Sequence, residues 1–303
     1  MNVAQTICEI TRKHLLQNNG VVMGQCLSAV GWVGGTIPEL PGHPNLIELS
    51  MDDTSGCGLA VGYALAGRRP IFVSRYQGFM WYNAADFVNY AAKAKEMWGY
   101  SVPIFIRAIA MEGSIGPVAS NSHHGMITRM PGITVCAPMT SSEYTYVWNN
   151  FQIQNGPFYV SEHRRSFPID YEMPDIVHGK PDITLLPISS ARLNAIEAEK
   201  ILKSEGIKCN VIHLIWLKPS PVDSWMLKRL NDSKYGGIVV DTDFENGVSK
   251  CIAFDLMQDC EKKVRVMGLE EKTAGFAPRF DNLPPSAEKI VKKVLDVVRM
   301  KND

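Results

Sequence analysis

The sequence predicts an α/β protein of two domains, each a mostly parallel sheet with helices on both faces. The first observation is size, since 303 residues, 46% of them hydrophobic, suit two cores better than one. The second is that short apolar runs alternate with segments of helical periodicity. The third is a polar stretch with Pro168, Pro174 and Pro181 that interrupts this alternation. We therefore predict domains over 1–160 and 182–303, joined by a linker over 161–181.

The elements of the first predicted domain follow in chain order. Apolar residues at roughly helical spacing predict a helix from Val3 to Gln17. Short apolar runs predict strands over 20–25, 45–50, 70–74, 102–108 and 133–138. Longer segments predict helices over 83–98 and from 141 to about 152. Strand followed by helix, repeated in this way, predicts a parallel sheet with helices on both faces.

The second predicted domain repeats this pattern. Apolar runs predict strands over 183–188, 209–214 and 237–241, and the segment 191–205 is expected to be a helix. The second domain is therefore also expected to be α/β.

Composition argues against several classes of protein. The chain has 31 basic and 31 acidic residues without a run of like charge, which disfavours nucleic acid or an anionic membrane as the main partner. The apolar segments fall short of the roughly 20 residues that span a bilayer, and the N-terminus shows no secretory signal. Seven scattered cysteines without a Cys-x-x-Cys pair indicate reduced thiols. We therefore expect a cytoplasmic protein.

The most informative segment runs from Asp52 to Ile71. The acidic pair Asp52-Asp53 opens a helix rich in glycine and alanine, and Gly67-Arg68-Arg69-Pro70 leads from that helix into the next strand. A glycine inside a helix costs roughly 1 kcal/mol relative to alanine. A helix that tolerates this cost is predicted to pack closely against another backbone or a cofactor.

This order of residues resembles the pyrimidine-binding domain of thiamine-diphosphate enzymes, namely the β chain of 2-oxo acid dehydrogenase E1 components and the C-terminal half of split transketolases. The segments Glu205 to Pro219 and Phe276 to Val291 resemble the C-terminal domain of the same chains. The resemblance covers nearly the whole chain. It implies a transketolase-like pyrimidine-binding domain followed by a transketolase C-terminal-like domain.

The resemblance implies thiamine diphosphate as the cofactor and a partner chain that holds half of it. The Gly-Asp-Gly…Asn segment that holds Mg²⁺ and the diphosphate in these families has no counterpart here, and no metal-ligand spacing stands out. Gly31 to Gly35 lacks the ending of a phosphate loop and is more typical of a flexible turn that faces a neighbouring subunit. We therefore expect an α-type subunit to supply the Mg²⁺ and diphosphate site, in a heterotetramer.

Asp53 matches the glutamate that hydrogen-bonds the cofactor's aminopyrimidine ring in these families. An acid at that place favours the tautomer that takes the proton from C2 of the thiazolium ring. Aspartate is one methylene shorter than glutamate, and Asp52 is the alternative candidate. Both acids could instead only cap the helix that follows.

Two more residues are implied as cofactor contacts. Gln25 stands where the family's β chains usually carry an acid, so a proton path between paired sites would be altered here, unless Gln25 is only a polar strand end. Phe79 matches the aromatic residue that stacks on the pyrimidine. Tyr76, Trp81 and Tyr82 lie beside it, so a role in the core or in a subunit interface stays open for each of these rings.

His123 and His124 occupy the loop where the related chains carry a catalytic histidine. A histidine can move protons near neutral pH and contact a substrate carboxylate or hydroxyl. Which of the two faces the cofactor is left open, and a surface pair is the alternative. His163, Arg164 and Arg165 could bind a substrate anion, but we favour a solvated linker for them.

The sequence thus predicts a β-type subunit that decarboxylates a 2-oxo acid and transfers the resulting acyl or aldehyde unit. One alternative is the C-terminal subunit of a split transketolase-like ketol transferase or synthase, which would act on keto sugars. A second alternative is a non-catalytic assembly subunit, because Asp53 and Gln25 both depart from the family pattern.

Overall fold

A computed structural model describes residues 1–18 and 20–299 of the chain. The strands are β1 Val21–Gln25, β2 Leu46–Leu49, β3 Pro70–Ser74, β4 Phe105–Ala110, β5 Thr134–Cys136, β6 Phe158–His163, β7 Ile183–Pro187, β8 Cys209–Val211, β9 Trp216–Lys218, β10 Gly237–Phe244 and β11 Val264–Leu269. The helices are α1 Val3–Gln17, α2 Ala29–Gly35, α3 Gly56–Leu65, α4 Met80–Asp86, α5 Ala94–Trp98, α6 His124–Thr128, α7 Ser141–Ile153, α8 Ala191–Ser204, α9 Ser224–Asn231, α10 Val248–Asp259 and α11 Ala287–Arg299. None of the helices in these two ranges is long and apolar enough to cross a membrane.

The first sheet has the strand order β2-β1-β3-β4-β6-β5-β9. Strands β1 to β6 pair in parallel, and β9 pairs antiparallel with β5 at one edge. Buried apolar residues of α3 and α4 cover one face of the sheet, and those of α1 and α7 cover the other. The predicted fold, a mostly parallel sheet with helices on both faces, is confirmed.

The second sheet has the order β11-β10-β7-β8, and all of its pairings are parallel. Helix α10 packs on one face, and α8 and α11 pack on the other. The apolar cluster under α10 continues to Ile127 and Val135 of the first sheet's layer. The two domains therefore share a continuous core instead of being joined by the chain alone.

The predicted helix over 83–98 is divided in the structure. Helix α4 ends at Asp86, a π-helical turn follows over Phe87–Ala91, and α5 begins at Ala94. The wider turn keeps both Phe87 and Ala91 buried in the core. Tertiary packing therefore decided the local geometry here.

The predicted linker begins inside the first sheet. Strand β6 continues to His163 and pairs with β4 along its length, so residues 161–163 are part of that sheet. The polar side chain of Glu162 is buried there against Arg107, with 2.7 Å between Oε1 and Nε. A short 3₁₀ turn at Arg164–Ser166 follows.

The glycine-rich stretch that was predicted to be a turn is α2, a left-handed helical turn. The φ angles of Val30–Gly34 lie between 53° and 65°, a region that Gly31 and Gly34 adopt without the usual side-chain penalty. Val33 is buried, and the hydroxyl of Thr36 donates to its carbonyl oxygen at 2.9 Å. The segment lines neither of the two pockets described below.

Candidate active site

A pocket opens at the carboxyl ends of three neighbouring strands, β2, β1 and β3. We call it the strand-end pocket; its volume is about 240 Å³. Ligands of open parallel sheets usually bind at this edge, outside the strand ends. Four residues singled out from the sequence line it together: Gln25, Asp52, Asp53 and Phe79. The fold therefore brings the predicted cofactor contacts of the first domain to one place.

The two acids of the pair have different surroundings. One oxygen of Asp52 accepts hydrogen bonds from the N–H and the hydroxyl of Thr54, at 2.9 and 2.7 Å, and the other accepts from the Ser55 hydroxyl at 2.5 Å. The Ser55 hydroxyl and then these Thr54 groups hold the pKa of Asp52 well below its ordinary value. Asp52 thus orders the turn into α3. Within the described residues the half-buried Asp53 carboxylate has no hydrogen-bond partner, which leaves it available to a ligand.

Asn83 connects three parts of the pocket, and sequence analysis did not identify it as a site residue. Its side-chain N–H group donates to the carbonyl oxygens of Asp53 and Phe79, at 2.8 and 3.3 Å. Its side-chain oxygen accepts from the N–H of Cys57 at 3.0 Å. The only sequence signal for it is its position one helical turn after Phe79. Asn83 therefore positions the acidic loop, the start of α3 and the aromatic segment relative to one another.

Arg75, which directly follows β3, was also missed. It lines the strand-end pocket, and its buried Nε has no hydrogen-bond partner among residues 1–18 and 20–299. Cys26 and Met51 also line this pocket and are in contact, with 3.4 Å between their sulfur atoms. Arg75 therefore adds a cationic residue to a pocket lining that also includes Asp52 and Asp53.

The small-residue helix packs closely at its start, but against side chains, where the sequence predicted another backbone or a cofactor. A Cβ atom on Gly56 would lie 3.0 Å from Leu49 and Phe72, and one on Gly58 would lie 2.8 Å from a carboxylate oxygen of Asp86. A Cβ atom on Gly62 would meet nothing within 4 Å. Gly56, which lines the pocket, and Gly58 are therefore the two close-packed glycines of this helix start.

His123 lines a second cavity, which lies between the two domains and has a volume of about 650 Å³. We call it the interdomain cleft. The His123 ring stacks on Phe244 of the second domain, with centroids 6.1 Å apart, and meets the edge of Trp81 at 5.7 Å. Burial and the neighbouring His124 lower the pKa of His123 to about 4, so the ring is neutral near pH 7. Its Nε2 atom is itself buried and has no hydrogen-bond partner within the described chain.

His124 is fully buried and belongs to the contact between the domains. Its Nε2 atom lies 3.0 Å from Asp241 Oδ1, and its Nδ1 atom lies 3.0 Å from the Ser161 hydroxyl. Burial alone would lower the pKa of His124, but the charge and hydrogen bond of Asp241, with the charge of Asp243, raise it. Because no part of His124 is exposed, only His123 of the pair lies where a ligand can reach it.

The segment from His163 to Arg165 is only partly solvated. His163 is buried, with its Nε2 atom 3.3 Å from Glu112 Oε1. Arg164 stacks on the ring of Tyr76 at 5.5 Å, and Arg165 is exposed. The interpretation of all three as a solvated linker is therefore wrong for His163.

The described part of the chain holds no group of three or more His, Cys, Asp or Glu side chains placed to bind a metal ion. The strand-end pocket and the interdomain cleft are lined by hydrogen-bonding, aromatic and charged groups, and no metal centre is formed by the described residues.

Comparison with known proteins gives matches to both halves of the chain. Residues 40–169 match the family described as "Transketolase, pyrimidine binding domain". The mitochondrial pyruvate dehydrogenase E1 component subunit beta of Bos taurus is 27% identical over 204 residues, which are 60% of this chain and 56% of that subunit. The pyruvate dehydrogenase E1 component subunit beta of Rickettsia bellii is 26% identical over 86% of both chains.

A solved structure described as "Split gene transketolase, inactive beta4 tetramer" has a TM-score of 0.74 at 17% identity and covers 99% of both chains. At that identity the likeness concerns the fold, and it extends over both domains. The residues of the strand-end pocket from Leu49 to Asn83 lie inside the segment that matches the pyrimidine-binding domain.

Proposed function

The chain belongs to the group that joins E1 β subunits and transketolases, and from this premise we propose that it is the β-type subunit of a two-chain thiamine-diphosphate enzyme. Its reaction breaks or forms a bond next to a ketone carbonyl. The first choice is decarboxylation of a 2-oxo acid with transfer of the acyl or aldehyde unit, since relatives named pyruvate dehydrogenase subunits align with it. The observation that carries the proposal is the unpartnered carboxylate of Asp53 in one pocket with Phe79.

The strand-end pocket fits the pyrimidine part of the cofactor. Its residues offer a carboxylate at Asp53, a flat ring at Phe79 and an amide at Gln25. When bound, thiamine diphosphate would supply a nucleophilic carbon in its thiazolium ring. Asp53 would hold a proton against the far nitrogen of the pyrimidine ring, the position at which general acid–base assistance is needed. Gln25 can donate and accept hydrogen bonds there but cannot carry a proton.

The diphosphate part requires a second chain. Its charge needs a divalent cation with oxygen ligands or converging backbone N–H groups, and the described residues hold no metal-binding cluster. We assign Mg²⁺ and the diphosphate to an α-type subunit in a heterotetramer. A structural neighbour described as an inactive β4 tetramer of a split-gene transketolase supports the view that this kind of chain needs a partner.

His123 is the residue that we assign to the substrate. Its neutral ring lines the interdomain cleft, and its buried, unpartnered Nε2 atom would accept a hydrogen bond from a substrate hydroxyl or protonated carboxyl that enters beside it. It faces the interdomain cleft and not the strand-end pocket, so it acts on the substrate and leaves the pyrimidine to Asp53.

Two other functions each have an observation in their favour. The match to a split-gene transketolase over 99% of both chains favours a ketol transferase or synthase that acts on keto sugars. The replacement of two family acids, by Asp53 and Gln25, favours a subunit that assembles without catalysing.

The deciding experiment is proton exchange at C2 of the cofactor. The chain is co-expressed with a candidate α-type chain from the same organism, and exchange of the C2 proton for deuterium is followed by NMR with thiamine diphosphate and Mg²⁺. We expect faster exchange with the assembled complex than with free cofactor, and no appreciable cofactor binding to the chain alone. A complex that binds the cofactor without accelerating exchange would favour the assembly role, and tight calorimetric binding to the chain alone would contradict the shared site.

A further inference from the structure

A path of buried hydrogen bonds runs from the second domain into the first, where it ends against the backbone of His123 and two residues before Phe79. It begins at Asp241 on β10, passes through His124 and Ser161, and ends at Gln77. All four side chains are at most 1% exposed. Water therefore cannot replace a lost link without rearrangement.

Gln77 is the end of the path that touches the candidate site. Its side-chain nitrogen donates to the Ala108 carbonyl at 3.1 Å and to the Ser161 hydroxyl at 2.7 Å. Its side-chain oxygen accepts from the backbone N–H of His123 at 2.6 Å. Gln77 also opens the short 3₁₀ turn that ends at Phe79. One buried amide therefore fixes the backbone beside the cleft histidine and the start of the turn that carries the pocket aromatic.

The other end of the path is anchored within the second domain. Besides its contact with His124, Asp241 Oδ1 accepts from the backbone N–H groups of Thr242 and Asp243, at 2.7 and 3.2 Å. These bonds fix the carboxylate relative to the end of β10, because they come from its own strand. A charged acceptor of this kind makes a stronger hydrogen bond than a neutral one.

Three other contacts hold the loop over residues 122–125, which carries His123, to the second domain. The hydroxyls of Ser122 and Thr242 are 2.9 Å apart, the N–H of Gly125 donates to Asp243 at 2.6 Å, and Phe244 stacks on His123. The charged side chains that face the interdomain cleft around His123 are Arg129, Asp243, Glu271 and Lys272. The position of the cleft histidine is therefore set largely by the second domain.

We propose that Asp241 is a positioning residue, and that through His124, Ser161 and Gln77 it holds His123 at the cleft and Phe79 at the strand-end pocket. The second domain then acts as the support of a site whose chemical groups lie in the first. The positioning is a property of the folded chain. Only its consequence for turnover rests on the proposed function.

The test is hydrogen exchange of the His123 backbone amide, followed by NMR on the full chain. Two variants break the path at different links: Asp241→Asn removes the charge in the second domain, and Ser161→Ala removes a hydroxyl inside the first. We expect each to speed exchange of the His123 amide by about tenfold or more, because its acceptor Gln77 is no longer fixed. Amides of the core strand β4 are expected to keep their exchange rates.

A second readout uses the His123 ring in Ser161→Ala, which leaves the charge of His124 in place. The native ring stays neutral down to its pKa of about 4. Release of the loop into water should move the pKa of His123 toward the ordinary value of about 6.5. The signal is assigned by its loss in His123→Gln.

The matched control is Ser190→Ala, which removes a different contact between the domains, the 2.8 Å bond from Ser190 to Glu112. It should leave His123 exchange unchanged. Unchanged His123 exchange in folded Asp241→Asn or in folded Ser161→Ala, or an equal increase in Ser190→Ala, would overturn the proposal. If Asp241→Asn does not fold, Ser161→Ala decides alone. If the proposed function is wrong, the assembled complex will not accelerate C2 proton exchange. The amide exchange and the pKa of His123, which are measured on the chain alone, do not depend on that result.

Discussion

The strand-end pocket and the interdomain cleft are built in different ways. The pocket takes its lining from residues 25–83, at the ends of three adjacent strands of one sheet. The cleft joins residues 81–129 to residues 243–274 of the other domain. The strand-end pocket can be formed by short motifs at the carboxyl ends of parallel strands. The interdomain cleft exists only when the two domains pack against each other. Part of the lining of the pocket, namely Gln25, Asp52, Asp53 and Phe79, could therefore be predicted from motif order, whereas the composition of the cleft could not.

The two cavities also differ in how their ionisable groups are set. In the pocket, hydrogen bonds from neighbours in the same turn keep Asp52 ionised. In the cleft, burial and a charged neighbour keep His123 neutral. Charge is thus controlled by local sequence in one cavity and by tertiary contacts in the other.

The largest expected effect concerns the pocket. Asp53→Asn should slow C2 proton exchange in the assembled complex by roughly 10²- to 10⁴-fold, because a positioned acid is lost. Asp53→Glu restores the side-chain length of the family and should be tolerated or faster. Asp52→Asn is the matched control and should have a smaller effect, since Asp52 serves the turn. If Asp53→Asn keeps the full rate of C2 proton exchange, Asp53 does not have the proposed role. If Asp52→Asn slows proton exchange more than Asp53→Asn does, the role belongs to Asp52.

The next largest effect concerns Asn83, which is predicted to stabilise the pocket without taking part in its chemistry. Asn83→Ala leaves the buried N–H of Cys57 and the Asp53 carbonyl without partners and should lower the free energy of unfolding by about 1–3 kcal/mol. The measurement is urea denaturation of the chain. Asn150→Ala is the control, since Asn150 binds the carbonyl of Tyr146 on an exposed part of α7 and should change stability by less than about 0.5 kcal/mol. Equal stability of the two variants would contradict the role of Asn83.

A smaller effect tests the aromatic wall of the pocket. Phe79→Leu keeps apolar volume but removes a flat stacking surface, which is worth about 0.5–1.5 kcal/mol. Cofactor affinity of the complex should fall roughly 2- to 13-fold by titration calorimetry. Phe254→Leu, at an exposed position of α10, should leave affinity unchanged. Unaltered affinity in Phe79→Leu would move the stacking role to another ring of the segment.

The smallest effect concerns the cleft and depends on pH. The folded state raises the pKa of His124 through Asp241 and Asp243, against the effect of burial. Its pairing therefore stabilises the fold fully below the ordinary histidine pKa of about 6.5 and loses this contribution as pH rises through the folded-state value. The stability difference between the native chain and His124→Gln should shrink from pH 6 to about pH 9 in chemical denaturation. A constant difference would show that the charge of His124 does not contribute and that it stabilises the fold through packing and neutral hydrogen bonds.

Much of the fold was accessible from the sequence because its signals are local. Apolar runs followed by periodic segments placed β1, β3, β7 and α8 close to their observed bounds, since each pattern reflects which side chains a single element buries. Strand β6 was missed because Glu162 and His163 look like loop residues until Arg107 and Glu112 are placed beside them. Buried charge pairs between distant residues leave no periodic signal.

The sequence by itself determined the parallel α/β architecture, the acidic loop at the sheet edge and the family resemblance, because residue order along one strand–loop–helix unit carries that information. Tertiary structure alone decided that Asn83 and Arg75 join the pocket, and that His124 is buried while His123 faces a cleft. The physical reason is that hydrogen bonding and burial at these positions come from residues far away in the chain. The partner of His124, for example, is Asp241, 117 positions later and in the other domain.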